Sequence, residues 1–376
     1  MGDAKLRSEV DAILRRNITA GGASVAIASS QTEPLCFHTG LADIKQSKPV
    51  EATHLFGIGS ITKVFVAVLV LQLVEEGKLG LQDTVQEHLH PDTYRDIDDA
   101  GPASISQLLN HTSGIDSWED DPIWLVDARG ARLQLDRIWQ KTEPLDYIRR
   151  PKKTAPGPGT WSYANTNYTL LGLIVENITG NSAESEIRRR ILQPLDLKLT
   201  FLDGFESCPE GGTVASRYHY ASQHFRNTAG ICNAFPLVRE DIMNVTGSNL
   251  SVSWMAGGMI SHPLDLVKFA LALNTGRLLK PSSMALMHDF VPSTLPDHEM
   301  GRGVFRQTIP GQGAWIGHSG GVLGFSAQLW WREDGDCVVC VLANVGTVNA
   351  GKVDFGTSPI VQRSNFLGLA YNLVKG

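Results

Sequence analysis

The 376-residue chain lacks any sign of a membrane span. Val64 to Val74 is strongly apolar, but its 11 residues fall short of the roughly 20 that a spanning helix needs. It reads as a buried helix. The N-terminus lacks the apolar core of a signal peptide. Met1 to Asn17 instead alternates charges with Val10, Ile13 and Leu14, the pattern of an amphipathic helix. A cytoplasmic protein without a membrane partner is expected. Cysteine is scarce, and the five present are odd in number and irregularly spaced, so reduced thiols are expected rather than a disulfide framework. Cys337 and Cys340 sit in a strand-like run, where residues three apart face opposite sides, which argues against a shared metal or redox role. No block of like charge accompanies the net charge of -6, so the composition gives no support for a nucleic-acid partner. Internal repeats and low-complexity linkers are absent too.

Two motifs fail for want of a residue. Gly317-His318-Ser319-Gly320-Gly321 matches a Gly-x-Ser-x-Gly elbow, but no histidine follows Ser319, and the next segment is strand-like where the elbow requires a helix. His88-Leu89-His90-Pro91-Asp92 is followed by Thr93 where a His-x-His-x-Asp metal motif needs another histidine. No metal and no cofactor are expected.

What is present is enough for a large core: 42% of residues are hydrophobic and 19% charged. Ala23 to Ser29 and Leu35 to Gly40 read as strands. Ser60 to about Gly77, Ser104 to Asn110, Asn165 to Thr179, Ala183 to Leu192 and Leu264 to Leu273 read as helices. Ala314 to Ile316, Phe325 to Arg332 and Cys337 to Ala343 read as strands, the last two joined by a turn over Arg332 to Asp336, and Ile360 to Val374 as a closing helix. The pattern predicts an α/β fold, an antiparallel sheet flanked by helices. Residues 1–80 and 180–376 would form the sheet domain from both termini, and 81–179 a mostly helical insertion.

The chemistry centres on Ser60-Ile61-Thr62-Lys63. On a helix this i, i+3 spacing puts hydroxyl and amine on one face. A serine hydroxyl needs a base, and Lys63 serves only as the neutral amine, which burial favours. Tyr163-Ala164-Asn165 and His318-Ser319-Gly320 follow in order. With them come Phe56-Gly57-Ile58-Gly59, Gly77 to Asp83, Leu108 to Gly114, Pro156-Gly157 and Gly257 to Ser261. On these motifs the chain resembles the serine β-lactamase-like superfamily, the branch of class C β-lactamases, DD-peptidases, related esterases and acyltransferases.

The resemblance implies a two-lobed fold with the active site in the cleft. It implies Ser60 as acylated nucleophile, Lys63 as its proton partner, and Tyr163 as the phenol that shuttles protons to the leaving group. Asn165 would orient substrate and Lys63, while His318, Ser319, Gly320 and Gly321 would line the substrate strand. The Ser60 and Gly321 amides would form the oxyanion hole. A cation at Lys63 is expected to lower the pKa of Tyr163 towards neutrality. His318 stands where much of the family has lysine, which argues against a substrate carboxylate and against β-lactams.

The expected activity is hydrolysis of a small-molecule ester, thioester or amide through acyl-Ser60. The alternatives are transfer to a small-molecule or carrier-bound acceptor, β-lactam or D-amino-acid peptide hydrolysis, and non-catalytic binding. Trp118, Trp124, Trp161 and Trp315 are candidates for an apolar acyl pocket or for core.

Overall fold

The computed structural model describes residues 2–149, 154–335, 337–353 and 356–375; Met1 of the expected N-terminal helix and Asp336 of the expected hairpin turn lie outside them. The main sheet has nine strands. Their order is Val291–Pro292, His298–Met300, Phe305–Ile309, Gly313–Val322, Phe325–Arg332, Val338–Ala343, Gly22–Ala28, Leu35–Asp43 and Lys48–Pro49, antiparallel throughout. Gly22–Ala28 therefore pairs with a strand near the other end of the chain, and its first amide donates to Asn344 Oδ1 at 2.7 Å.

Every residue of Gly22–Ala28 is buried because both faces are covered. Val25 and Ile27 enter one core with Val10, Leu14, Phe366 and Leu373 from the two terminal helices, Gly2–Asn17 and Phe366–Lys375. Ala26 and Ala28, pointing the other way, enter a second core with the Thr62–Glu75 and Pro263–Asn274 helices. Cys337 and Cys340 divide between these cores in the same way, and all five cysteines are free.

Thr62–Glu75 is buried on all sides, which its apolar sequence allows. It ends where Gly77 takes φ +67°, letting the Gly77 and Lys78 amides return to the Val74 and Leu73 carbonyls at 3.0 Å. Ser60 itself lies in a separate 3₁₀ turn, Gly59–Ile61, rather than in the α-helix expected to begin there. The strand expected over Ala314 to Ile316 runs from Gly313 to Val322 and includes the His-Ser-Gly motif. The closing helix is broken into Ser358–Arg363 and Phe366–Lys375. Ser364 is extended at the break and its hydroxyl donates to the Ile360 carbonyl, an alternative to helical hydrogen bonding that serine offers.

Among the described residues no strand lies between Gly57 and Phe201; this stretch is helix and turn. No helix there or elsewhere in the described residues is long and apolar enough to cross a membrane.

Candidate active site

Ser60 is fixed from two sides. The Ile58 amide donates to the Met259 carbonyl at 3.0 Å, and Thr62 Oγ1 accepts from the Met259 amide at 3.2 Å, so the turn is tied to the Met259–Ser261 strand. On its other flank the turn touches the Gly313–Val322 strand. A Cβ on Gly320 would stand 1.9 Å from the Ile58 carbonyl oxygen, and one on Gly59, at φ +52°, 2.6 Å from the Gly321 nitrogen. Two glycines thus let the backbones carrying the Ser60 and Gly321 amides run in contact, a suitable cradle for an oxyanion. Gly320→Ala is expected to push them apart and lower kcat for an ester at least about tenfold, by loss of well-aimed oxyanion donors. Unchanged kcat in a folded variant would remove this pair of amides from consideration.

Lys63 is fully buried one turn after Ser60. Its Nζ donates to Ser60 Oγ at 3.1 Å, Asn165 Oδ1 at 2.7 Å and the Ala256 carbonyl at 2.5 Å. Burial pushes its pKa down to about 7; nearby Glu119 pulls it up and Arg129 pushes it further down. The amine is thereby brought towards the neutral form that a base requires.

For a reaction that uses neutral Lys63, kcat/KM should fall about tenfold per pH unit below about 7. Arg129→Gln should move this acid limb to higher pH, because a depressing charge is lost while Glu119 remains. A pH–rate profile flat from 5 to 8, roughly the span over which such a group titrates, would exclude Lys63 as the base.

Tyr163 departs from expectation. Its hydroxyl is buried, and burial drives its pKa above the ordinary phenol value, opposed by the Ser60 side chain and reinforced by Glu119. The predicted shift towards neutrality does not occur. Desolvation dominates, and Lys63, 5.0 Å from the ring centroid, is itself pushed towards neutrality. The resting phenol keeps its proton.

His318 is buried with its Nδ1 2.5 Å from the Ser319 carbonyl oxygen, so Nδ1 carries the proton and Nε2 is left as an acceptor without a partner. Burial, with Lys63 next, pushes its pKa down to about 3, and it is neutral at pH 7. Ser319 lies in mid-strand, not on an elbow.

Several site residues carry no motif signal. Glu119 accepts from Asn165 Nδ2, which orients the amide so that its oxygen faces Lys63. Arg129 pairs with Glu119 at 2.5 Å and donates to Asn349, reaching across from the helical stretch to the loop beyond the sheet. His111, buried and neutral, packs its ring 4.2 Å from that of Tyr163, while its Nδ1 accepts from the Ala164 amide at 3.2 Å. His111 belongs to a motif already singled out; Glu119, Arg129 and Asn349 are scattered polar residues that only the fold brings together.

The cavity at Ser60 holds only about 10 Å³ and is lined by Glu119, Arg129, Asn165, Ser253 and Gly321 among others. That is room for about one water. Of the four candidate tryptophans, Trp118 lines this cavity; Trp124, Trp161 and Trp315 pack in the cores. His88 bonds Asp83 at 3.0 Å, and the described residues include no group of three or more His, Cys, Asp or Glu able to hold a metal.

A family model described as Beta-lactamase matches residues 10–354. The chain belongs to the beta-lactamase family. It is 27% identical to Penicillin-binding protein 4* of Bacillus subtilis (strain 168) over 77% of this chain and 60% of that protein. Over 52% of this chain and 50% of the relative it is 34% identical to Esterase EstB of Burkholderia gladioli. The chain thus spans well under the full length of these curated relatives. D-amino acid amidase from Ochrobactrum anthropi SV3 superposes with a TM-score of 0.81 at 25% identity, over 99% of each chain. The fold is the β-lactamase/transpeptidase type, and named hydrolases are among the proteins it resembles.

Proposed function

We propose that the protein is a serine hydrolase that cleaves a small, uncharged ester, thioester or amide through an acyl-Ser60 intermediate. The observation that carries this reading is a fully buried Lys63, near neutral, 3.1 Å from the Ser60 hydroxyl. Ser60 Oγ attacks the acyl carbon as its proton passes to neutral Lys63. The tetrahedral oxyanion accepts from the Ser60 and Gly321 amides. Tyr163, protonated at rest, gives its proton to the leaving group and is reprotonated from Lys63. Water then attacks the acyl-enzyme by the reverse proton path, releasing the acid and restoring Ser60.

A neutral His318 presents no charge to a substrate carboxylate. Wild type should therefore turn over a p-nitrophenyl ester far better than a chromogenic cephalosporin. His318→Lys should shift the kcat/KM ratio towards the cephalosporin by about fivefold or more, the gain of a charge-assisted hydrogen bond. Efficient cephalosporin turnover by wild type, unaltered by the substitution, would return the reading to a β-lactamase.

A second reading, cleavage of the amide of a D-amino acid, is supported by the full-length similarity to D-amino acid amidase. Release of ammonia from D-phenylalaninamide but not its L-enantiomer, faster than ester turnover, would favour it.

A further inference from the structure

The short Ile105–Leu109 helix closes with a left-handed cap: the Thr112 amide returns to the Gln107 carbonyl at 3.0 Å across His111, which takes φ +60°. Glycine is the usual occupant of such a position, because a Cβ is strained there. A fully buried histidine in its place calls for a reason beyond the turn, and the partners of its carbonyl and ring supply one. The His111 carbonyl accepts from the Ser162 amide at 2.8 Å, and its Nδ1 accepts from the Ala164 amide at 3.2 Å. These two residues flank Tyr163. The imidazole lies against the residue between them, its centroid 4.2 Å from that of the phenol ring.

The ring is held in one tautomer. Asn167, whose Oδ1 accepts from the Ser113 hydroxyl at 2.8 Å, turns its Nδ2 to the same Nδ1 at 3.2 Å. With two donors aimed at it, Nδ1 is the bare nitrogen, and the proton sits on Nε2, which has no partner among the described residues. An apolar ring would fill this space without an unmet donor. What imidazole adds is the Nδ1 acceptor, placed at the entry to the Asn165–Thr179 helix.

We propose that His111 is a positioning residue for the hydrolase reaction described above, on which this inference rests: it clamps the backbone on both sides of Tyr163 and so aims the phenol at the leaving group. His111 exchanges no proton itself. Burial, with Lys63 and His318 next, holds its pKa well below the ordinary imidazole value, so Nδ1 stays an acceptor over the range in which Lys63 titrates.

The test compares the ethyl ester and the p-nitrophenyl ester of one acid. Both give the same acyl-enzyme, so the ratio of their kcat/KM values isolates acylation; ethoxide needs a proton as it leaves, whereas p-nitrophenolate departs without one. His111→Phe keeps a ring and removes the acceptor. The ethyl to p-nitrophenyl ratio should fall at least about tenfold, as when a catalytic group is misplaced, and His111→Ala serves if that variant does not fold. His111→Asn tolerates the left-handed backbone and carries Oδ1 as many bonds from Cβ as Nδ1, so the ratio should stay within about threefold although the ring is gone. Tyr163→Phe should lower the ratio too, and adding His111→Phe to it should cost little more. An unchanged ratio in folded His111→Phe or His111→Ala, or an equal fall in His111→Asn, would overturn the clamp while Tyr163→Phe still lowers the ratio. An unchanged ratio in Tyr163→Phe would instead remove Tyr163 as proton donor, and the clamp with it.

Discussion

Ser60→Ala is expected to abolish labelling by a serine-directed fluorophosphonate and to lower turnover of a p-nitrophenyl ester by about 10⁶, the loss that follows removal of a serine nucleophile. Wild type should gain one adduct by intact mass, mapping to the peptide that contains Ser60. The size of the effect follows from Ser60 being the sole nucleophile of the proposed mechanism. Ser253, the other serine hydroxyl on this pocket, is not hydrogen-bonded to Lys63, whose three described partners are Ser60, Asn165 and Ala256. A labelled Ser253 or Ser319 with Ser60 unmodified would transfer the nucleophile's role elsewhere.

Lys63→Ala and Tyr163→Phe should each lower turnover by about 10² to 10⁴, the range for general acid–base groups. Their double mutant should lose far less than the product. In the proposed mechanism one group accepts the serine proton and the other delivers a proton to the leaving group, so once either is missing the relay is already broken. Tyr163→Phe is the cleaner probe. It removes a buried hydroxyl that has no hydrogen-bond partner among the described residues and keeps the ring against His111 and Phe305, so its effect on stability should be small. Wild-type rates in either single mutant would remove that residue from the relay.

How far the sequence anticipates this site depends on the range of the cause. The Ser60–Lys63 contact is local, and three-residue spacing brings the groups together even though a 3₁₀ turn replaces the first α-helical turn. The two faces of Val338–Ala343 follow from strict alternation, which is why Cys337 and Cys340 part company as expected. The ionisation of Tyr163 does not follow from such spacing. It depends on burial among His111, Phe305 and Lys63, contributed by three distant segments. Glu119 and Arg129 are likewise illegible, since no periodicity or spacing connects them to Asn165 or Asn349. The break at Ser364 has a local signal, serine followed by asparagine, masked by the apolar periodicity on either side.

The pairing of Gly22–Ala28 with Val338–Ala343 also governs when this fold can be completed. On a ribosome the N-terminal strand emerges early, yet the groups it bonds lie as much as 322 residues later. Until they arrive, one edge of a strand that ends up fully buried has no neighbour. Such separations slow folding and leave the unfinished chain prone to association. The Gly321 amide likewise arrives long after Ser60, so on the proposed mechanism the nascent polypeptide carries the serine without its oxyanion cradle and should stay inert until translation is nearly done.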